Sequence, residues 1–575
     1  MKAGLKARIK SALAHGILQI PVAENRIEGF LKKAESHSMA ELLLDMDQLN
    51  MTRMQRALFN RCEDVQRTLL LQLVKSNADT QYGRAHDFSS IHSIEDYRSS
   101  VPVSEWSAFE PYIDALKKGA PDILFHGTTQ YFARTTGTTG IVKLIPISVD
   151  EMTVRTVVGD IRNLERGIGC GRLAELISGK YRFFTMSGTL SIEKTEAGIP
   201  IGSISGMATK IDGSSGTTRG MLAIPAMLLN YFEEGEEYFH VAMRCALYYR
   251  NIAAAAGPNP KQMENMILYA KEHAEELIEE IRTGTSAFPL PDEVKAAMKD
   301  VLVPDPERAE ALRALYERDR FIPRYYWPDL VAGFFWLSGS IGVYADALRP
   351  YLPENVTFMD LGYTASEASI TMTLEPETPA SILLTYAGFF EFLPLDGGAP
   401  LLAHEVEVGK DYEILLTTYS GLYRYRIHDI IHVDGFRGDT PLIHFQMKAG
   451  DVANLVGEKL SGALLFETAR DALADKFGVV ALQVYPDPID RRYVFYIEPD
   501  RAVEDDGSLS ELVHQNMVKK IAMYCWARGM ALEKPIVRLM PEGWGKRVQA
   551  EYARDKANYT QVKVPIVRDR PYTDV

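Results

Sequence analysis

The sequence is poor in the patterns that mark most familiar chemistries. It has four cysteines in 575 residues, Cys62, Cys170, Cys245 and Cys525, and no CxxC pair. That excludes a disulfide framework and a cysteine-built zinc site, and it fits a reduced, cytoplasmic setting. Basic residues are outnumbered, 63 against 77 acidic, for a net charge of −14. A chain of this sign has no general attraction to nucleic acid or an anionic membrane, so neither is expected as a partner, and an anionic substrate must be held by a local site. Long apolar runs are missing too. The most membrane-like segment, Leu330 to Leu348, is interrupted by Ser338, Gly339, Ser340, Gly342, Tyr344 and Asp346, which predicts a buried strand, turn and helix. The basic start, Met1 to Arg8, is not followed by a clean apolar signal core. There is no HExxH, no GxGxxG opening a βαβ unit, and Gly202-Ser203-Ile204-Ser205-Gly206 has isoleucine where a nucleophile elbow needs serine.

What is present is an apolar fraction of 46%, ample for sizeable cores, on a chain long enough for two or three domains. The segment to about Asn77 reads as helical, with stripes such as Leu69-Leu70-Leu71-Gln72-Leu73-Val74. A second helical tract is predicted from Gln262 to Arg282, stopped by Gly284. Strand-like runs alternate with helices elsewhere, among them Val356 to Leu361, Ser381 to Tyr386 and Tyr412 to Thr417, a mixed α/β pattern. Near Phe445 to Asp451 the pattern restarts as a small α/β unit: helix over Ala463 to Ala474, strands over Val479 to Tyr485 and Arg492 to Ile497, helix over Ser508 to Arg528, strand over Pro535 to Leu539.

Four clusters carry chemistry. Thr135-Thr136-Gly137-Thr138-Thr139-Gly140-Ile141-Val142-Lys143 lies between two strand-like runs; its glycines turn N–H groups toward an anion, its hydroxyls add donors and Lys143 adds charge. The Gly-Lys-Ser/Thr of a Walker A loop is absent, so the loop points to another kind of nucleotide enzyme. Gly362-Tyr363-Thr364-Ala365-Ser366-Glu367 follows a predicted strand and offers an aromatic face for a base and a carboxylate for Mg²⁺ at a strand end, where α/β sheets gather ligands. In Tyr423-Arg424-Tyr425-Arg426-Ile427-His428-Asp429, Asp429 is either a double acceptor for ribose hydroxyls or the partner of a cross-strand arginine. Near the end, Gln561-Val562-Lys563-Val564-Pro565 holds a lysine that a small terminal domain could carry into a site. A second loop, Gly213 to Gly220, resembles the first in composition but lacks its lysine and following strand; it is expected to be mobile.

In this order the clusters resemble the acyl-acid amido synthetase family first known from auxin-responsive (Gretchen Hagen) genes, within the adenylate-forming enzymes. The similarity runs from about Gln66 to Pro565 and includes Ile322-Pro323-Arg324-Tyr325-Tyr326-Trp327-Pro328, Phe390-Glu391-Phe392-Leu393-Pro394 and, most specifically, Thr418-Tyr419-Ser420-Gly421-Leu422-Tyr423-Arg424-Tyr425-Arg426. The resemblance implies an adenylate-forming-enzyme fold, with a large N-terminal mixed α/β domain over 1–445 and a small mobile C-terminal α/β domain over 446–575; residues 1–61 form an extra helical segment with no obvious plant counterpart. It implies ATP and Mg²⁺ as cofactors. Thr135, Thr136, Gly137, Thr138, Thr139, Gly140 and Lys143 match the phosphate loop, Tyr363 and Thr364 the adenine contacts, Glu367 the metal ligand, Asp429 the ribose acceptor, Lys448 the hinge beside the nucleotide and Lys563 the lysine at the reaction centre. Lys563, Lys143 and Glu367 are the implied catalytic groups. His428 stands where the family has glycine, and the phosphate loop is a residue shorter than the plant pattern with threonines for its serines. The implied reaction is adenylation of a carboxylic acid followed by acyl transfer to an amine such as an amino acid, in a monomer or homodimer. The alternatives are an acyl-CoA ligase and a nucleotide-binding scaffold without turnover.

Overall fold

The computed structural model describes residues 22–134, 143–172, 176, 179–186, 193–204, 206–207, 221–225, 227–228, 231–232, 236–257, 260–338, 345–449, 452–453, 455, 460–504, 507–521, 524–525, 528, 532–553, 564–568 and 570–572. Among these, two compact units separate: a larger one within Met1–Leu337, Tyr344–Ile427 and Ile431–His444, and a smaller one within Ser338–Val343, His428–Ile430 and Phe445–Val575.

The larger unit begins with helices α1 (Glu24–Ser36), α2 (Met39–Leu44), α3 (Gln48–Leu58) and α4 (Cys62–Ser76). The starts of α2 and α3 follow from side-chain caps: Ser38 Oγ accepts from Glu41 N–H while Glu41 reaches back to Ser38 N–H, and Asp47 accepts from Asn50 N–H. A further helix, α5 (Trp106–Lys117), precedes the first sheet. That sheet pairs β1 (Tyr131–Arg134) with β2 (Leu144–Ile147) antiparallel and adds β5 (Pro200–Gly202) and β4 (Glu193–Lys194), in the order β2-β1-β5-β4. α6 (Val149–Gly169) follows β2 directly, and Ser148 caps it by accepting from Glu151 N–H at 3.0 Å. Its stripe Val154, Val158 and Ile161 packs into one core with Ile27, Phe30, Leu43, Met51 and Leu58, so the N-terminal helices lie against α6.

The second sheet is wholly parallel: β3 (Arg182–Thr185), β6 (Ile252–Ala256), β7 (Ala332–Phe335) and β8 (Thr357–Asp360) stand in chain order. It packs into a core with α7 (Glu236–Tyr248), α8 (Pro260–Glu272) and α9 (Ala274–Thr283). The single tract expected over Gln262 to Arg282 is thus two helices, broken at His273; Gly284 stops the second at φ +74°. The third sheet has seven strands, ordered β12 (Leu401–Leu402), β11 (Phe389–Pro394), β13 (Asp411–Thr417), β14 (Tyr425–Arg437), β15 (Thr440–Lys448), β10 (Ser381–Leu383) and β9 (Thr371–Met372). The strand, turn and helix expected over Leu330 to Leu348 are borne out at both ends, by β7 and a short helix at Ala345–Leu348. No helix among the described residues is long and apolar enough to cross a membrane.

In the smaller unit β16 (Val452–Ala453) pairs with β17 (Leu460–Ser461), and β18 (Val479–Asp487), β19 (Arg492–Pro499) and β20 (Ile536–Leu539) form a three-stranded sheet with α10 (Gly462–Leu473), α11 (Ser508–Lys520) and α12 (Trp544–Ala553). The helix expected over Ser508 to Arg528 leaves its regular run after Lys520, where Ile521 turns extended. The chain's last described stretch returns to β18: Val484 N–H donates to Ile566 O at 2.7 Å and Arg568 N–H to Val484 O at 2.9 Å. Gln483 Nε2 holds Pro565 O at 2.9 Å, and Tyr572 Oη donates to Gln483 Oε1 at 2.7 Å.

Candidate active site

The expected phosphate loop, Thr135, Thr136, Gly137, Thr138, Thr139 and Gly140 through residue 142, lies outside the described residues, as do the second loop at 213–220, Lys563 and the side chain of Lys448. The flanks of the first loop are described and are antiparallel neighbours, Arg134 opposite Leu144. Lys143 ends the loop with its Nζ donating to Tyr425 Oη at 3.0 Å. The ammonium also stands 5.6 Å from the Trp106 ring and 5.7 Å from that of Tyr425, within cation–π range. Tyr425 is buried, edge-on to Phe109 and Trp106. Two separately singled-out motifs therefore meet at one hydrogen bond.

Tyr425 opens β14 after a tight turn. Gly421 takes φ +77°, and a Cβ there would lie 2.5 Å from Leu124 Cβ and 2.6 Å from Leu124 O, so only glycine fits. Tyr423 Oη donates to the same Leu124 carbonyl at 2.7 Å. The two arginines of the run are engaged by glutamates: Arg424 Nε reaches Glu391 Oε2 at 2.8 Å, and Arg426 Nε and Nη2 reach Glu413 at 2.7 and 2.8 Å across the strands. Asp429 is buried in the short stretch that groups with the smaller unit. His428 has φ +62°, the left-handed region, and its carbonyl accepts from Ala449 N–H at 2.7 Å. Glycine would adopt that backbone freely; here a side chain is held in it at a cost.

Tyr363, Thr364 and Glu367 share one turn between β8 and β9. Thr364 and Ser369 form an antiparallel bridge, and Tyr363 O accepts from both Ile370 N–H and Thr371 N–H at 3.0 Å. Gly362 enters at φ +76° with its N–H on Asp360 Oδ1 at 2.6 Å; Leu337 N–H meets Asp360 Oδ2 at the same distance. Burial pushes the Asp360 carboxyl up to about 6, against the downward pull of those two N–H groups and of Arg166. Glu367 is buried as well. Tyr363, Ala365, Leu144 and Trp106 all pack against the core that contains Tyr425, which brings the turn and the lysine onto one support.

Asp360 and the arginines of α6 were not singled out from the sequence, yet α6 touches both motif regions. At its start Ser148 donates its hydroxyl to Tyr419 O at 2.9 Å and its N–H to Ser420 Oγ at 3.2 Å. Further along, Arg155 reaches Ala365 O and Ser366 O, Arg162 reaches Thr371 O and Arg166 reaches Leu361 O. A seven-then-four spacing of arginines in a helical run was the available signal. Among the described residues no three His, Cys, Asp or Glu side chains gather as metal ligands. A single carboxylate suffices for Mg²⁺, which is commonly held by one or two carboxylates together with substrate phosphates, and the buried Glu367 is the candidate.

Comparison with known proteins follows the same lines. Residues 52–357 match the GH3 family N-terminal domain and residues 381–448 the GH3 family central domain. The chain is 26% identical over 414 residues to a jasmonoyl–L-amino acid synthetase, JAR6, of Nicotiana attenuata, covering 66% of this chain and 68% of that one. It is 25% identical over 470 residues to a probable indole-3-acetic acid-amido synthetase, GH3.1, of Arabidopsis thaliana, covering 76% of each. A solved structure, the AtGH3.15 acyl acid amido synthetase in complex with 2,4-DB, matches with a TM-score of 0.77 at 18% identity over 91% of this chain and 94% of that one, a likeness of fold.

Proposed function

Since this chain belongs to the GH3 family, we propose that it is an ATP-dependent, AMP-forming ligase that adenylates a carboxylic acid and passes the acyl group to an amine such as an amino acid. Relatives at 25–26% identity bear the names jasmonoyl–L-amino acid synthetase and probable indole-3-acetic acid-amido synthetase, which supports the reaction class. The observation that carries the reading is the Lys143–Tyr425 hydrogen bond of 3.0 Å, which ties the end of the Thr/Gly loop to the motif strand.

A carboxylate is a poor electrophile, because attack on it places more charge on an anion. Transfer to AMP gives a mixed anhydride with a good leaving group. One carboxylate oxygen attacks the α-phosphorus, the bond to the β-phosphate oxygen breaks, and pyrophosphate leaves with that electron pair. The acceptor amine then attacks the acyl carbon, and AMP departs as the amide forms. The protein's task is to hold like charges together while the first bond forms. Lys143, fixed by Tyr425 and the Trp106 face, offers an ammonium at the end of the phosphate loop; Thr135, Thr136, Thr138 and Thr139 add hydroxyl donors, and Gly137 and Gly140 free N–H groups. Tyr363 and Thr364 flank the base, Asp429 accepts from the ribose hydroxyls, and Lys563 neutralises charge at the α-phosphate, with Lys448 at the hinge beside the nucleotide. Mg²⁺ held by Glu367 would supply charge neutralisation on the phosphate oxygens. We place the reaction in the cytoplasm, where thiols stay reduced, in keeping with four cysteines in no disulfide.

Pyrophosphate release over a panel of carboxylic acids, followed by product mass with amino acids or with CoA, tests the reading. Exchange of label between pyrophosphate and ATP should depend on the acid and fall in Glu367→Ala and Asp429→Ala. Undiminished exchange in both variants rejects the assignment, and a CoA thioester as the sole product replaces the amine acceptor. Lys563→Ala should cost roughly 10²–10³ in adenylation rate with ATP binding retained, as for loss of an oxyanion donor.

A further inference from the structure

α6 carries Arg155, Arg162 and Arg166 on one stripe, since spacings of seven and four return to the same helix face. Their guanidinium groups end on main-chain oxygens of a single segment. Arg166 Nη2 donates to Leu361 O at 2.8 Å, Arg155 Nη2 to Ser366 O at 2.9 Å and Arg162 Nη2 to Thr371 O at 2.5 Å, with a longer 3.4 Å contact from Arg155 to Ala365 O. One helix therefore grips both ends and the middle of the turn that bears Tyr363, Thr364 and Glu367.

The arrangement is a poor way to gain stability. Arg155 has a carboxylate partner on α6, Glu151 at 2.7 Å. Arg162 is buried, and its Nε has no hydrogen-bond partner among the described residues. Burial first, and the neighbouring Arg166 and Arg155 next, pull its guanidinium down to about 9. An apolar side chain of similar length would fill the space without desolvating a charge. The helix is itself braced from behind: its adjacent stripe Val154, Val158 and Ile161 packs with α1 to α3, and Arg56 pairs with the buried Glu165.

We propose that Arg155, Arg162 and Arg166 are positioning residues for adenylation, clamping the Leu361–Thr371 turn so that Glu367 and the backbone around Tyr363 keep one geometry through the reaction. This rests on the assignment of that turn to the nucleotide. The guanidinium forks act on the peptide carbonyls, and through them on the carboxylate, without touching substrate.

The test is acid-dependent ATP–pyrophosphate exchange in Arg162→Met, Arg166→Met and Glu367→Gln, singly and combined. Arg162→Met should lower kcat roughly tenfold to hundredfold, the scale of a small misplacement at a reacting centre. Its KM for ATP should change far less, and its thermal midpoint should stay near that of the parent protein. In the Glu367→Gln background the same substitution should add less than about twofold, because two groups acting through one geometry are not additive. Arg162→Lys, which keeps the charge and one donor group, should recover part of the loss. Parental kcat in folded Arg162→Met and Arg166→Met, or losses that multiply with that of Glu367→Gln, overturns the clamp. Should Arg162→Met fail to fold, the half-buried Arg166 carries the same test. A silent arginine variant beside an impaired Glu367→Gln sinks the clamp alone; an unimpaired Glu367→Gln removes the nucleotide assignment and the clamp with it.

Discussion

Around Glu391 two arginines converge on one carboxylate, whereas the buried Arg162 of α6 ends on a peptide oxygen. Arg424 Nε and Nη2 reach the Glu391 carboxylate at 2.8 and 3.2 Å, its Nη1 meets Val101 O at 2.9 Å and Arg98 O at 3.2 Å, and Arg98 Nε reaches the same carboxylate at 2.8 Å. On α6 three guanidiniums reach peptide oxygens, and Arg162 Nε has no hydrogen-bond partner among the described residues. The first set joins β11 and the turn that leads into β14 to the helix at Ile94–Ser100, elements of the scaffold. The second is aimed at a turn. The first arrangement returns its desolvation cost through ion pairing, and the second returns less of it, which is why a positioning role is assigned to the second.

The largest effect that would sharpen the contrast is in the Glu391 set. Glu391→Ala leaves Arg424 buried beside no carboxylate and should cost about 3–5 kcal/mol in denaturant unfolding. A loss as small as that expected for Arg162→Met would erase the distinction. Next comes the pH response of Asp360, which feels Arg166 yet has its carboxyl up at about 6. The folded protein holds that proton where the unfolded chain, near the ordinary value of about 4, has released it. The associated stability is full below about pH 4 and is lost as pH rises through about 6, on the order of 3 kcal/mol in all. Asp360→Asn should remove that part of the slope in unfolding measured from pH 4 to 7; an unchanged slope would mean that Arg166 and the N–H groups of Leu337 and Gly362 keep Asp360 ionised. Smaller again, Gly421→Ala should cost about 1–3 kcal/mol through strain at positive φ and contact with Leu124, read as a fall in thermal midpoint. Least of all, Tyr425→Phe removes one hydrogen bond to Lys143 and should lower stability by about 1 kcal/mol, with a visible rise in KM for ATP if that lysine meets the phosphates.

Much of this was legible from residue order. Alternation and length marked β8, β13, β18 and β19, and Gly284 marked a helix end, because each depends on local pattern. His273 was not legible as a break, since the apolar stripe continues through it and the interruption is decided by packing. The motif residues Lys143, Tyr363, Glu367 and Asp429 were found because the clusters that hold them stand in an order that resembles one family; read singly, a tyrosine and a glutamate at a turn are ordinary. Their supports were not. Arg155, Arg162 and Arg166 sit in an amphipathic helix where arginine is ordinary, and only three-dimensional packing turns that stripe toward a turn some two hundred residues later. Asp360 lay unremarked inside the expected strand Val356 to Leu361, whereas its two N–H partners lie at Leu337 and Gly362. His428 was noticed as a substitution; its left-handed backbone needed coordinates.

The grip of α6 on the Leu361–Thr371 turn has a practical consequence for anyone recombining this sequence with a relative's. A crossover placed between residues 170 and 360 would look innocuous, since it cuts neither element. It would nonetheless pair one parent's arginines with the other's carbonyls, so the two segments behave as a single heritable block despite their distance in sequence. Chimeras that keep the block from one parent should express and turn over; those that split it should express and stall.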